Sequence, residues 1–247
     1  MSTKKDLSVI LPMRKGSERV PNKNTKPFAG IPFGLAELKL SQLLQLASVD
    51  QIIIDTNEPR ISEIVENLNF PHKSKKRIRI EERDPAFAGN EVTTDSLIAY
   101  LGQKIETTHA LWTHTTSPFV DSSVYHRAID QYFSRDPIQN DSLMSVTRLQ
   151  EFIWDETGPK NYDYSVSKWP RTQTLPPWYF INSAIFCCPT EYYVSSSNRI
   201  GSNPILFEMD KIVGFDVDWP IDFEIAELIY KASSQSSDLY SKSQESL

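Results

Sequence analysis

Apolar residues along this chain recur with two periods. Short β-branched runs alternate with longer stretches whose leucines and isoleucines fall three and four apart. Leu7 to Leu11, Gln51 to Asp55, Arg77 to Glu81, Ala110 to Thr113 and Leu143 to Val146 predict strands. Between them, Leu35 to Leu46 carries Leu35, Leu38, Leu43 and Leu46 on a helical face, and Ile61 to Leu68 and Asp95 to Ile105 follow the same rule. Ser122 to Phe133 predicts a helix with Asp121 as its N-cap. This alternation predicts an α/β fold, with a mainly parallel central sheet and helices on both faces.

The pattern breaks at Gln150 to Trp178, which is rich in aromatics and prolines and has no clean period. A stretch so long and irregular reads as a functional arm of about residues 150–180 that covers a partner surface. Regular structure is predicted to resume at Phe180 to Cys188, Ile205 to Glu208 and Lys211 to Val217, with a helix over Phe223 to Tyr230. Ser233 to Leu247 is too polar to pack and reads as a frayed tail, which leaves residues 1–232 as a single domain.

The 247 residues suit one α/β domain, and the net charge of −6 argues against nucleic acid as the main partner. Lys73, Lys75, Lys76, Arg77 and Arg79 form a basic cluster at the entry to a strand. Cys187 and Cys188 are adjacent, so a strand points them to opposite faces and a disulfide between them is not expected. No stretch resembles a signal peptide, and no apolar run reaches the roughly 20 residues that span a bilayer. A soluble protein of a reducing compartment, the cytoplasm, is the expectation.

Two stretches carry candidate chemistry. The first strand runs into Arg14-Lys15-Gly16-Ser17-Glu18-Arg19-Val20-Pro21-Asn22-Lys23-Asn24. It is neither a Walker loop nor a dinucleotide fingerprint. A cationic loop at the carboxyl end of a first strand is nevertheless where open α/β sheets hold phosphates. Arg14 and Lys23 can grip two ends of a polyphosphate, and Gly16 and Ser17 let the backbone approach. A solvated basic loop is the plainer alternative. The second stretch is Phe215 to Asp222. Asp216 and Asp218, two apart in a strand-like stretch, point to one side and can share a Mg²⁺ ion.

The first loop resembles the signature A-R-x-x-S-K-x-x-P-x-K-N of the acylneuraminate cytidylyltransferase family, with Arg14, Ser17, Pro21, Lys23 and Asn24 in register. The second stretch is similar to that family's D-[IV]-D-x-x-x-D-[LF]-x-x-A-E, matched by Asp216, Asp218, Asp222, Phe223, Ala226 and Glu227. Thr116, Ser117 and Pro118 match its L-Q-P-T-S-P segment, with His114 in place of glutamine. Pro170-Arg171 and Asn182-Ser183-Ala184-Ile185-Phe186 resemble P-R-x-x-L-P and N-G-A-I-Y, with Ser183 for glycine and Phe186 for tyrosine.

The resemblance implies a cytidylyltransferase that joins CTP to a 2-keto-3-deoxy sugar acid and releases pyrophosphate. It implies Arg14 and Lys23 as charge-stabilising catalytic residues. The nucleotide would be bound by Arg14, Gly16, Ser17, Lys23, Asn24, Arg83, Ser96 and Thr116. The sugar would meet His114, Arg171, Asn182 and Phe186, and Asp216 and Asp218 would hold Mg²⁺ as cofactor. His114 would hydrogen-bond the sugar rather than act as a base, because glutamine cannot take a proton. The arm implies a homodimer in which it closes the partner's site. A GT-A-like glycosyltransferase and a non-catalytic sugar-nucleotide binding protein stay open as alternatives. Release of pyrophosphate separates the first of these, and binding without turnover would mark the second.

Overall fold

The computed structural model describes residues 5–75 and 77–244; Lys76 of the basic cluster and the last three residues of the predicted tail lie outside them. Chain order is β1 (Leu7–Met13), α1 (Gly34–Leu44), β2 (Gln51–Thr56), α2 (Arg60–Asn67), α3 (His72–Lys75), β3 (Ile78–Glu82), α4 (Thr94–Gly102), β4 (His109–Thr113), α5 (Ser122–Phe133) and β5 (Ser142–Leu149). Two-residue strands β6 (Trp154–Asp155) and β7 (Gly158–Pro159) lie in the arm. Then come β8 (Trp178–Pro189), α6 (Glu191–Ser195), β9 (Pro204–Met209) and α7 (Pro220–Gln244).

The main sheet runs β3-β2-β1-β4-β8-β5-β9. All neighbours are parallel except those of β8, which is antiparallel to both β4 and β5. Period-two alternation sorts the side chains. Val9, Leu11, Ile52, Ile54, Leu111 and Cys187 pack beneath α1, α2 and α5. Ile10, Ile53, Trp112, Phe186 and Cys188 pack beneath α4 and α6 on the other face. Each such fully buried aliphatic contributes about 1.5–3 kcal/mol. The cysteines accordingly face opposite ways, and both are free.

Local signals account for several ends. The Asp121 carboxylate accepts from the Val124 amide at 3.0 Å, capping α5 as its sequence predicts. Arg77 donates to the carbonyls of Leu44, Leu46 and Val49 at 2.7, 2.6 and 2.9 Å, which closes the carboxyl end of α1. Gly34 opens α1 at φ +62°, where a Cβ would stand 1.9 Å from the Lys26 carbonyl oxygen.

Three segments differ from expectation. Lys211 to Val217 is not a strand. The Asp210 carboxylate accepts from the amides of Ile212 and Val213, both at 2.9 Å, so a side-chain turn replaces the ladder. α7 continues past Tyr230 through Gln244, into the stretch read as a tail. Within β8 the register jumps, with Met144 opposite Phe186 but Val146 opposite Ile181, so residues 182–185 bulge. No helix among the described residues is long and apolar enough to cross a membrane.

A third apolar cluster joins the two ends of the chain. Val20, Phe28, Leu35 and Leu38 pack on Val217, Phe223 and Ala226. The Glu227 carboxylate accepts from the Ala29 amide at 2.6 Å across the same seam.

Candidate active site

β1 and β4 are parallel neighbours, so the loops leaving their carboxyl ends open onto one crevice, the usual ligand position in such sheets. A cleft of about 550 Å³ lies there. Arg14, Ser17, Lys23 and Asn24 line it from the β1 loop, His114 and Thr116 from the end of β4, Arg83 from the end of β3, and Asp216 and Asp218 from the turn before α7. Residues some 200 positions apart thus share one cavity.

Hydrogen bonds fix the β1 loop. The Asn24 amide donates to the Arg14 carbonyl at 3.2 Å and its oxygen accepts from the Thr115 hydroxyl at 2.7 Å. The Arg14 guanidinium donates to Asn90, whose own amide donates to Glu18. Asn90, in the stretch that leads into α4, thus braces Arg14. Gly16 lies behind the cleft wall. Its φ of +84° rather than lack of space calls for glycine, since a Cβ there would meet nothing.

The acidic turn is equally tied down. The Val217 amide donates to the Thr116 carbonyl at 2.9 Å. The Asp222 carboxylate accepts from the amides of Asp218 and Trp219 at 3.1 and 2.8 Å, so the third aspartate of the motif positions the second. Lys23 Nζ donates to the Val217 carbonyl at 2.8 Å and to Asp218 Oδ1 at 3.3 Å. Arg19 approaches Asp218 Oδ2 to 3.5 Å and lies over the Trp219 ring.

Asp216 Oδ1 is buried and has no hydrogen-bond partner among the described residues. Burial pushes its carboxyl above the ordinary range; the Thr116 hydroxyl pulls it back, while Asp218 adds to the rise. Such an orphaned oxygen is costly, and a hard cation shared with Asp218 would satisfy it. No group of three or more metal-ligating side chains occurs among the described residues, so a cation here would complete its shell with phosphate oxygens and water.

Arg83 is pinned by Asp55: its Nε donates to the carboxylate and its Nη2 to the Asp55 carbonyl at 3.2 Å, both residues being buried. His114 Nε2 accepts from Trp112 Nε1–H at 2.9 Å, and Arg199 Nη1 stands 3.4 Å from the same nitrogen. Burial, reinforced by Arg199 and Lys23, drives the ring pKa down to about 3. The ring is therefore neutral, with its proton on Nδ1, and can donate a hydrogen bond but not accept a substrate proton. Behind it, the buried Lys39 ammonium bonds the carbonyls of Ser117 and Val120 at 2.9 and 3.1 Å and holds that turn against the cleft.

Five residues singled out in the sequence do not line the cleft. Besides Gly16, Ser96 is a capping partner: its amide donates to Thr93 Oγ1 at 3.2 Å, and Thr94 and Leu97 reach the cleft instead. Asn182 is buried in the β8 bulge, accepting from Ser145 Oγ at 2.6 Å and donating to Thr147 at 3.1 Å, so it pins β5 to β8. Phe186 is core, packed beneath the Arg199 guanidinium at 3.8 Å. Arg171 stands exposed on the arm.

Among the cleft-lining residues that were not assigned a role from sequence are Arg19, Ser183 and Arg199. Arg19 follows the loop motif directly. Ser183 is turned into the cleft by the bulge at φ +58°, a strained value for serine. Arg199 enters from the turn after α6, with no local signal to announce it.

The family model described as Cytidylyltransferase matches residues 8–166. The chain is 26% identical over 248 residues to the N-acylneuraminate cytidylyltransferase of Escherichia coli, covering 94% of this chain and 54% of that protein. It is 24% identical over 220 residues to a Streptococcus agalactiae protein of the same name, covering 87% of this chain and 51% of that one. The chain thus spans about half the length of these relatives. It is 20% identical over 240 residues to the pseudaminic acid cytidylyltransferase of Campylobacter jejuni, covering 92% and 97% of the two chains. The solved structure of CMP:2-keto-3-deoxy-manno-octonic acid synthetase complexed with CTP superposes with a TM-score of 0.63 at 16% identity, over 92% of this chain and 99% of that one. That likeness shows the shared fold.

Proposed function

This chain belongs to the cytidylyltransferase family, and on that premise we propose that it joins CTP to a 2-keto-3-deoxy sugar acid to give a CMP-sugar and pyrophosphate. The anomeric hydroxyl oxygen attacks the α-phosphorus, the bond to the bridging β-phosphate oxygen breaks, and the hydroxyl proton leaves to solvent. Positioning and charge neutralisation dominate such transfers.

One observation carries the reading. The cationic β1 loop and the acidic turn before α7 meet in one cleft, with Lys23 bonded to Val217 and Asp218 across it. Arg14, Arg19 and Lys23 offer the charge that a departing pyrophosphate needs. Asp216 and Asp218 would hold Mg²⁺, which when bound neutralises triphosphate charge. Neutral His114 donates a hydrogen bond to the sugar. Names of relatives that act on N-acylneuraminate and pseudaminic acid favour a nonulosonate as acceptor.

The same reading makes the protein a homodimer. Trp154, Trp169, Trp178, Phe180 and Ile181 are all exposed along the arm and the start of β8, a density that a partner surface would cover. The test of function is pyrophosphate release from CTP across a panel of sugar acids. Transfer without pyrophosphate would point to a glycosyltransferase, and nucleotide binding without turnover to a binding protein.

A further inference from the structure

The cations lining the cleft are not equivalent. Lys23 and Arg19 lie against Asp218, Arg83 is paired with Asp55, and Arg14 bonds Asn90. Among the described residues neither Arg14 nor Arg199 has a carboxylate within 4.0 Å, but Arg14 is tied to Asn90 on the β1 side, while Arg199 feels Asp95 only at longer range. Its neighbours are the faces of Phe186 at 3.8 Å and Trp112 at 5.2 Å, and the acceptor nitrogen of His114 at 3.4 Å. Aromatic faces hold and orient a guanidinium but do not neutralise it. Burial lowers its pKa only to about 10, so it is charged at neutral pH.

Position narrows what it receives. Phosphate-binding charge is gathered on the β1 loop, whereas Arg199 sits over β4 and β8, on the far side of β4 from β1. Arg171 is exposed on the arm and does not line its own chain's cleft; in a homodimer it would serve the partner's cleft, so Arg171→Ala belongs in the test. A sugar acid brings one carboxylate, and a planar guanidinium fork meets a carboxylate with two parallel hydrogen bonds. We infer that Arg199, cradled by Phe186 and Trp112, receives the carboxylate of the sugar acid, with the His114 Nδ1–H as a neighbouring donor. This rests on the cytidylyl-transfer reading.

The experiment compares wild type, Arg199→Met, Arg199→Lys and Arg171→Ala in the full chain, measuring pyrophosphate release from CTP with the best sugar acid and with its carboxamide. Arg199→Met should raise KM for the sugar acid about 10- to 150-fold, the loss expected for a charged hydrogen bond. KM for CTP should move less than about twofold on the same account, because the nucleotide contacts are untouched. Arg199→Lys should fall between. Wild type should discriminate strongly against the carboxamide, and Arg199→Met should not. Should Arg199→Met fail to fold, Arg199→Lys carries the test, since it keeps the charge and loses the fork. An unchanged sugar KM, discrimination that survives in Arg199→Met, a rise confined to CTP, or discrimination lost only in Arg171→Ala would each overturn the assignment. If wild type releases no pyrophosphate with any pair, the transfer reading falls. Calorimetric titration of sugar acids into wild type and Arg199→Met then decides separately, equal binding overturning the inference and weakened binding in the variant supporting it.

Discussion

Replacing Lys23 by methionine removes one ammonium and keeps the apolar stem. The side chain is 13% exposed and spans the cleft, giving 2.8 Å to the Val217 carbonyl and 3.3 Å to Asp218. A hydrogen bond to a charged group contributes about 1.5–3 kcal/mol. Val217 is fully buried and its carbonyl loses the bond from Lys23, so the upper end applies. At roughly 2–4 °C per kcal/mol for a chain of this size, Tm should fall by about 6–12 °C. The catalytic loss should be larger, on the order of 10² in kcat, because a preorganised charge near the departing pyrophosphate acts chiefly in the transition state. Pyrophosphate release gives kcat and KM, and thermal denaturation gives Tm. Lys15, exposed on the same loop and bonded through its backbone amide to Asn57 at 2.7 Å, is the control and should change little. A raised KM for CTP with unchanged kcat would refute the transition-state role. An equal loss in Lys15→Met would reduce the effect to general charge.

Asp216→Asn and Asp218→Asn should each cut turnover by on the order of 10² or more by removing a hard anionic donor; in thermal-shift titrations Mg²⁺ should raise the Tm of wild type but not of either variant, and a variant that keeps both responses is no ligand. His114 and Lys39 set two separate pH windows, and in both stability rises with pH. His114 titrates near 3 against 6.5 when unfolded, so its contribution is complete above 6.5 and is lost as pH falls toward 3; His114→Gln should flatten Tm over that span. Lys39 titrates near 7 against 10.5 when unfolded, so stability rises from 7 to 10.5, a slope that Lys39→Met should remove. Sedimentation should show a dimer at micromolar concentration that Phe180→Asp weakens, and a fully active monomer would dismiss the arm's assigned role.

Much of this protein could be read from residues in order. Strand and helix periods are local, and each face of the sheet follows from alternation alone, down to the opposite burial of Cys187 and Cys188. The charge of the β1 loop and of Asp216 and Asp218 was legible in the residues themselves, and the fold brings these groups to one cleft. The closing motif also holds the fold together. Asp222 braces Asp218, Phe223 and Ala226 pack under the β1 loop, and Glu227 bonds Ala29.

Tertiary structure decided the other wall of the cleft. Asn182 and Phe186 looked like substrate contacts, but a bulge in β8 sets their direction, and it buries both while turning Ser183 outward. Asp210 folded a predicted strand into a turn through its own side chain. Arg199 reaches His114 across 85 positions because β8 runs antiparallel beside β4 and brings Phe186 next to Trp112. Local sequence sets which face a residue prefers within its own element. Which side chains then share a cavity depends on strand order and register, and those are settled only when distant segments pair.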